Sequence, residues 1–178
     1  MNAALRPDAA DPMNQAWLQD AYETHGRKVM AYLRARLANA HDCEELLQQT
    51  FVTIATDPSG YFAADSHGAW LIGIARNHLR DHIRRRRMHT MAGDDLDVPV
   101  VAMNADDRLE EVRMAIAGLP AAQREVLELR LRDELSYAEI AEALRIPVGT
   151  VRSRIHHAVE ALRRQLGEPS QATVSNRP

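Results

Sequence analysis

Three features of this chain point to an all-α protein built from two small helical domains. Its 46% apolar content comes with only 4% aromatic residues, and the abundance of Ala, Leu, Arg and Glu favours helices. No segment alternates apolar and polar residues well enough to make a strand. Residues 89–106 (HTMAGDDLDVPVVAMNAD) lose the helical period and carry Gly93, Asp94, Asp95 and Pro99. They read as a flexible acidic linker between two helical blocks.

The elements follow in order. Residues 1–13, with Pro7 and Pro12, read as a disordered lead. The first domain, 14–88, is expected to hold helices over Ala16–Leu37, His41–Thr56 and Ala69–Arg87. The breaks between them are Ala38–Ala40 and an Asp57–Gly68 loop that carries Pro58, Gly60 and Gly68. The second domain, 107–167, begins with a helix over Asp107–Ala117. A break at Gly118–Pro120 and a helix through about Arg132 follow. Residues 168–178, with Pro169, Ser170 and Pro178, read as a disordered tail.

Residues 136–166 (SYAEIAEALRIPVGTVRSRIHHAVEALRRQL) are the most informative segment. Ser136 and Glu139 have the spacing of a capping box, which satisfies free N–H groups at a helix start. Ile140, Ala141 and Leu144 share one apolar face. Pro147 and Gly149 are expected to stop this helix, and Thr150 to cap a second one. In that second helix Val151, Ile155, Ala158, Val159 and Leu162 face inward. Arg152, Ser153, His156 and His157 are left outside. This is helix-turn-helix logic, with a second helix suited to the DNA major groove. Arg152 suits a bidentate contact with guanine, and the other three suit base edges or phosphates.

The net charge of −3 is segregated. Positions 84–87 are four consecutive arginines, preceded by Arg76 and Arg80, whereas 94–111 hold seven acidic residues against one basic. Phosphate contacts supply most of the affinity of an unaided DNA binder, so a mildly acidic chain with local basic faces implies help from a partner. The single cysteine, Cys43, excludes an intramolecular disulfide and a multi-Cys zinc site. No signal peptide or membrane-length apolar run is seen, and a cytoplasmic setting is expected. Neither block is long enough for a deep cleft. With no nucleophile–base set, Gly-rich phosphate loop or complete metal site, the expectation is a protein that is not an enzyme and uses no cofactor.

Two stretches of the first domain carry further chemistry. In DCEELLQQTF (42–51), Glu45, Gln48, Gln49 and Val52 share a face at helical spacing, with Leu47, Phe51 and Ile54 on the adjacent core-facing side. The polar face is either simply solvated or a docking surface for a partner helix. Glu44 and Glu45 point about 100° apart and do not converge on one site. In WLIGIARNHLRDHIRRRR (70–87), Leu71, Ala75, Leu79 and Ile83 form a seam. Arg76, Arg80, Arg84 and Arg87 form a stripe, with Asn77 beside it. Like charges at i, i+4 repel, and a polyanion relieves the repulsion. Tyr61, Phe62 and Trp70 flank this helix, either as stacking surfaces for unpaired bases or as core anchors. His78 and His82 stand at a metal-compatible spacing, but no further ligand completes a site.

Together these motifs resemble the extracytoplasmic-function sigma factors, the smallest members of the bacterial housekeeping-sigma superfamily, from about Trp17 to Leu166. DCEELLQQTF resembles the helix that docks on the β′ clamp of RNA polymerase. WLIGIARNHLRDHIRRRR resembles the helix that melts and reads the −10 element. Residues 119–157 resemble the −35-reading domain, whose front part contacts the β flap. The resemblance implies docking through Glu45, Gln48 and Gln49. It places Asn77 at a pocket for a flipped-out base, with Arg76, Arg80 and Arg84 on −10 phosphates. It assigns −35 reading to Arg152, Ser153, His156 and His157. Core RNA polymerase, promoter DNA and an anti-sigma factor are the implied partners. The chain departs from the family at Gln49, where Glu is frequent, at Arg145, where Gly is frequent, and at the His156–His157 pair. Two other readings have less support: a sigma mimic that sequesters an anti-sigma factor without binding DNA, and a simple operator-binding repressor.

Overall fold

The computed structural model describes residues 12–90 and 107–167. Among them all regular structure is helical, in eight segments. They fall into two compact units: α1–α4 make the first, and α5, α6 and α8 with the start of α7 make the second. The expected lead, linker and tail lie outside the described residues, except for Pro12, Met13, His89 and Thr90, which belong to helices.

In the first unit, α1 (Pro12–Arg34), α2 (Ala40–Thr56) and α4 (His67–Thr90) each pack on the other two. α1 therefore starts four residues before Ala16 and stops three short of Leu37. Val29, Leu33, Leu46, Ile54 and Leu71 are fully buried at the centre. Among the described residues Thr50 is the one buried polar residue there, and its hydroxyl is satisfied by donating to the Leu46 carbonyl at 2.7 Å. α2 starts where Asn39 places its Oδ1 2.9 Å from the His41 amide, one of the donors that a helix N-terminus leaves free.

The stretch expected to be a plain loop holds a one-turn helix, α3 (Ser59–Ala63). Asp57 Oδ1 accepts from the Ser59 amide and hydroxyl, at 3.1 and 2.6 Å, a turn that short side chains favour. Tyr61 then enters the core, stacked on His67 with centroids 4.3 Å apart and 5.5 Å from Trp17. Tyr61 is thus a core anchor. Trp70 is half-buried, and its ring covers Gly60 so closely that an added Cβ would lie 2.4 Å from its Cζ2. Gly60→Ala should destabilise the first unit by about 1–3 kcal/mol through overpacking. A urea midpoint unchanged from wild type would contradict this.

In the second unit, α5 (Asp107–Ala117) and α6 (Ala121–Leu131) pack on α8 (Val148–Gln165). Leu119, Leu127 and Ala158 form a core with Ile116, Ala161 and Leu162 against it. α7 (Tyr137–Leu144) begins with the expected capping box. The Ser136 amide donates to Glu139 Oε2 at 2.8 Å, and the Glu139 amide donates to Ser136 Oγ at 3.2 Å.

The turn after α7 differs from its expected construction. Arg145, not Pro147 or Gly149, ends α7: its φ is +54°. The Ile146 amide donates to the Ala141 carbonyl at 3.0 Å and the Arg145 amide to Glu142 at 3.2 Å, the paired bonds of a Schellman ending. Pro147 is the cap of α8, with ψ 144°, and its carbonyl accepts from Thr150 and Val151. Proline suits this entry, because a missing N–H costs nothing before the first turn. Thr150 is therefore inside α8 rather than its cap, and so is Gly149. A left-handed residue with a Cβ costs roughly 1–2 kcal/mol, so Arg145→Gly should stabilise the second unit by up to about 1 kcal/mol. A lowered melting temperature would contradict that expectation.

Candidate nucleic-acid and polymerase interface

Three helix faces carry the residues singled out by the sequence. On α2, the packing of Leu47, Phe51 and Ile54 into the core turns Glu45, Gln48 and Val52 to solvent. Val52 is 62% exposed. Gln49 is half-buried and its Nε2 donates to Glu45 Oε1 at 2.9 Å. The face is polar with one exposed apolar residue at its C-terminal end, and Gln48 holds the most accessible amide.

On α4, Leu71, Ala75 and Leu79 are buried as the seam requires, and Ile83 is half-buried. Asn77, Arg80 and Arg84–Arg87 are exposed, whereas Arg76 is half-buried. The arginines are not equivalent. Arg84 pairs with Asp81 at 3.1 Å and Arg86 with Asp42 of α2 at 3.2 Å. Arg80, Arg84 and Arg87, with Ile83 and Met88, line a shallow open hollow. This is a cationic surface with an apolar floor, chemistry that accommodates phosphates beside a base or sugar.

Asp42 and Thr53 were not foreseen as positioning groups. His82 Nε2 is 3.5 Å from Asp42 Oδ2, and His78 Nε2 is 2.9 Å from Thr53 Oγ1. Thr53 in turn donates its hydroxyl to the Gln49 carbonyl at 2.8 Å, so His78 supplies the N–H. His78 thus ties the arginine helix to the docking helix through Thr53, while His82 Nε2 is buried near Asp42 without a hydrogen bond, and their i, i+4 spacing serves helix packing. Among the described residues no cluster of three or more metal-ligating side chains is found. The signal was present as an acidic and a hydroxyl residue eleven apart on α2, but only tertiary pairing assigns them partners.

Burial holds the His78 pKa below its ordinary value, with Asp81 opposing the shift and Arg85 adding to it. Burial, His67 and Lys28 lower His25, against Asp20. The unfolded chain therefore takes up protons before the folded one as pH falls, so stability is full above about pH 6.5 and declines below it. The first unit should melt at a lower temperature at pH 5.5 than at pH 7.5, and His78→Gln should shrink the difference. Equal slopes in the variant and the wild type would contradict this.

On α8, the burial of Val151, Ile155 and Ala158 presents Arg152, Ser153, His156 and His157 to solvent. Val159 and Leu162 are half-buried. Helical spacing sets Arg152 above His156 and Ser153 above His157. Ser153 Oγ donates to the Thr150 carbonyl at 3.0 Å, leaving its lone pairs outward. The two imidazole centroids are 5.6 Å apart.

Both units match known protein families. Residues 21–88 match Sigma-70 region 2 and residues 109–162 match Sigma-70, region 4, which defines the class as a two-region sigma-70 type factor. The chain is 30% identical over 163 residues to the ECF RNA polymerase sigma factor SigW of Bacillus subtilis (strain 168), across 83% of this chain and 87% of that one. It is 31% identical to SigL of Mycobacterium tuberculosis (strain ATCC 25618 / H37Rv), across 92% and 96%. The chain belongs to the ECF RNA polymerase sigma factors. Two solved structures share its fold. One is the sigma factor RpoE in complex with the anti-sigma factor NepR from Bartonella quintana (TM-score 0.58, 22% identity, 86% of this chain and 96% of that one). The other is CnrH in complex with the cytosolic domain of CnrY (TM-score 0.57, 24% identity, 86% and 89%).

Proposed function

We propose that the residues of the three exposed faces divide the work of an alternative sigma factor among them. As a family member the chain is a transcription initiation factor that binds core RNA polymerase and directs promoter-specific transcription. In this reading Glu45, Gln48 and Gln49 dock on the β′ clamp, with the domain 14–88 also melting and reading the −10 element. Arg76, Arg80 and Arg84 hold its phosphates, and Asn77 contributes to the pocket for an extruded base. The domain 107–167 reads the −35 element through Arg152, Ser153, His156 and His157, and its front part meets the β flap. Residues 89–106 tether the two.

The observation that supports the reading most is the pairing of an exposed polar face on α2 with an exposed arginine surface on α4. One helix docks while the other meets DNA. Extruding a base costs a few kcal/mol, and a docked pocket that rewards one base converts that cost into promoter choice. The protein acts by binding alone, with no catalysis of its own. It works in the cytoplasm, where no described helix is long and apolar enough to cross a membrane. An anti-sigma factor that covers these faces keeps it silent, as the partners of the two structural neighbours suggest.

The test is permanganate footprinting of a promoter with reconstituted holoenzyme. Reactive thymines at the −10 element are expected, and they should be lost in Arg80→Ala/Arg84→Ala while the holoenzyme still assembles. Unchanged footprints in that variant would overturn the −10 assignment.

A further inference from the structure

We propose that His156 and His157 contact promoter DNA as imidazolium ions, so that −35 binding takes up protons and this chain reads its promoter more tightly at mildly acidic pH. The inference rests on the −35 reading given above. Both rings are exposed on the outer face of α8 and sit 5.6 Å apart. They occupy the two columns that begin at Arg152 and Ser153, one turn on from each, where a helix in the major groove meets base edges and phosphates.

The fixed charges of α8 are few beside the imidazoles themselves. Arg152 is exposed, Arg154 is half-buried, Arg163 is held by Glu160 at 2.9 Å, and the exposed Arg164 lies two turns beyond His157 with its Nε on the Glu160 carbonyl. Among the four reading residues Arg152 is the one fixed charge, and protonating both imidazoles would raise that set from one charge to three. The chain as a whole is acidic, with a net charge of −3, so the two added charges are large locally. Two imidazolium ions side by side repel, and a phosphate anion beside them offsets the repulsion.

Among the described residues of the second unit, the neighbouring helices carry these charged groups. α5 brings Glu110, Glu111 and Arg113, of which Glu110 and Arg113 pair at 3.4 Å. α6 brings Arg124, bonded to the Ala117 carbonyl at 2.6 Å, with Glu125, Glu128 and Arg130. α7 brings Glu139, engaged at its own helix start, and Glu142. On α8 itself Glu160 is taken by Arg163. Neither imidazole is ion-paired with any of these carboxylates.

The sign follows from linkage. A polyanion favours the charged imidazole, so binding to the promoter takes up protons. The added affinity is therefore greatest at acidic pH and fades as pH rises. Protonation also changes what is read, because a neutral imidazole offers one donor and one acceptor while the cation offers two donors. Guanine edges and phosphates suit the cation.

The experiment uses holoenzyme reconstituted from core RNA polymerase and the full chain. The probe is a fluorescent promoter duplex recovered by that holoenzyme from a random-sequence pool. Affinity is measured from pH 6 to pH 8 at constant ionic strength. Wild type should lose about tenfold more affinity across that range than His156→Gln/His157→Gln, a tenfold change corresponding to one pKa unit. His156→Lys/His157→Lys, with fixed charge, should bind at pH 8 about as tightly as wild type at pH 6 and show the flat profile of the Gln pair. Arg152→Ala should weaken binding at every pH while keeping the wild-type slope. Parallel profiles for wild type and the Gln pair would overturn the proposal and leave the −35 reading standing. A holoenzyme that recovers no duplex at any pH would overturn the −35 reading itself.

Discussion

Arg152→Ala is expected to lower the affinity of the holoenzyme for its promoter by about 1–3 kcal/mol, a factor of roughly 5 to 150, the worth of one bidentate base contact. Holoenzyme assembly should be unaffected. The reason is local. Arg152 lies one residue after the fully buried Val151 on α8, so its backbone is fixed by the core while its side chain is free in solvent. Removing it leaves Val151, Ile155 and Ala158 untouched, and α8 keeps its place. Fluorescence anisotropy with promoter duplex, beside a core-binding titration, separates the two effects. An Arg152→Ala protein that loses polymerase affinity instead would move this residue from the DNA surface to the polymerase surface.

The converse is expected on α2. Glu45→Ala/Gln48→Ala should weaken core polymerase binding by about tenfold or more, the loss that truncating residues at the centre of an interface brings. Folding should not change, because both side chains are exposed and the core partners of α2 are Leu46, Leu47, Thr50 and Ile54. Gln49 is a weaker choice for the same test. It is half-buried and bonded to Glu45 at 2.9 Å, while the carbonyl that takes the Thr53 hydroxyl is its backbone, which a substitution leaves in place. Its side chain therefore acts by presenting Glu45. Normal holoenzyme assembly by the double variant would count against docking through this face.

Much of this was written in residue periodicity. The seam of Leu71, Ala75 and Leu79, the core face of Leu47, Phe51 and Ile54, and the Ser136–Glu139 cap are all found in the structure as the spacing predicts. These signals are local, and each depends on a helix repeat or a four-residue motif. What escaped was set by tertiary context or by backbone choices that several sequences satisfy. α3 forms because Asp57 captures Ser59 and Tyr61 finds a core, and neither event leaves a period in five residues. Arg145 ends α7 although Pro147 and Gly149 look like the stronger stops. The chain can turn two residues before Pro147 because the paired backbone bonds from Arg145 and Ile146 offset the strain of a left-handed arginine.

The functional faces were legible in a similar, partial way. Residue types and order indicated a docking helix, an arginine helix and a reading helix. Exposure divides the arginines further. Arg80 and Arg87 line the open hollow with no ion pair among the described residues, Arg84 lines it while paired with Asp81, Arg86 is drawn to Asp42, and Arg76 is half-buried. That hierarchy follows from where α2 lies against α4, which no linear spacing states. The same packing explains the histidines at 78 and 82, whose metal-like spacing turns both toward α2, where His78 bonds Thr53 and His82 lies near Asp42.

The central claim is that this chain gives core RNA polymerase a promoter it does not otherwise use. Multiple-round run-off transcription with purified core enzyme, with and without the chain, on a template carrying the promoter selected by the holoenzyme tests it most directly. A single defined transcript that requires the chain, and that falls with Arg152→Ala and with Arg80→Ala/Arg84→Ala, is the predicted result. A chain that binds core polymerase or an anti-sigma factor but yields no promoter-specific transcript would contradict the claim and leave a mimic in its place.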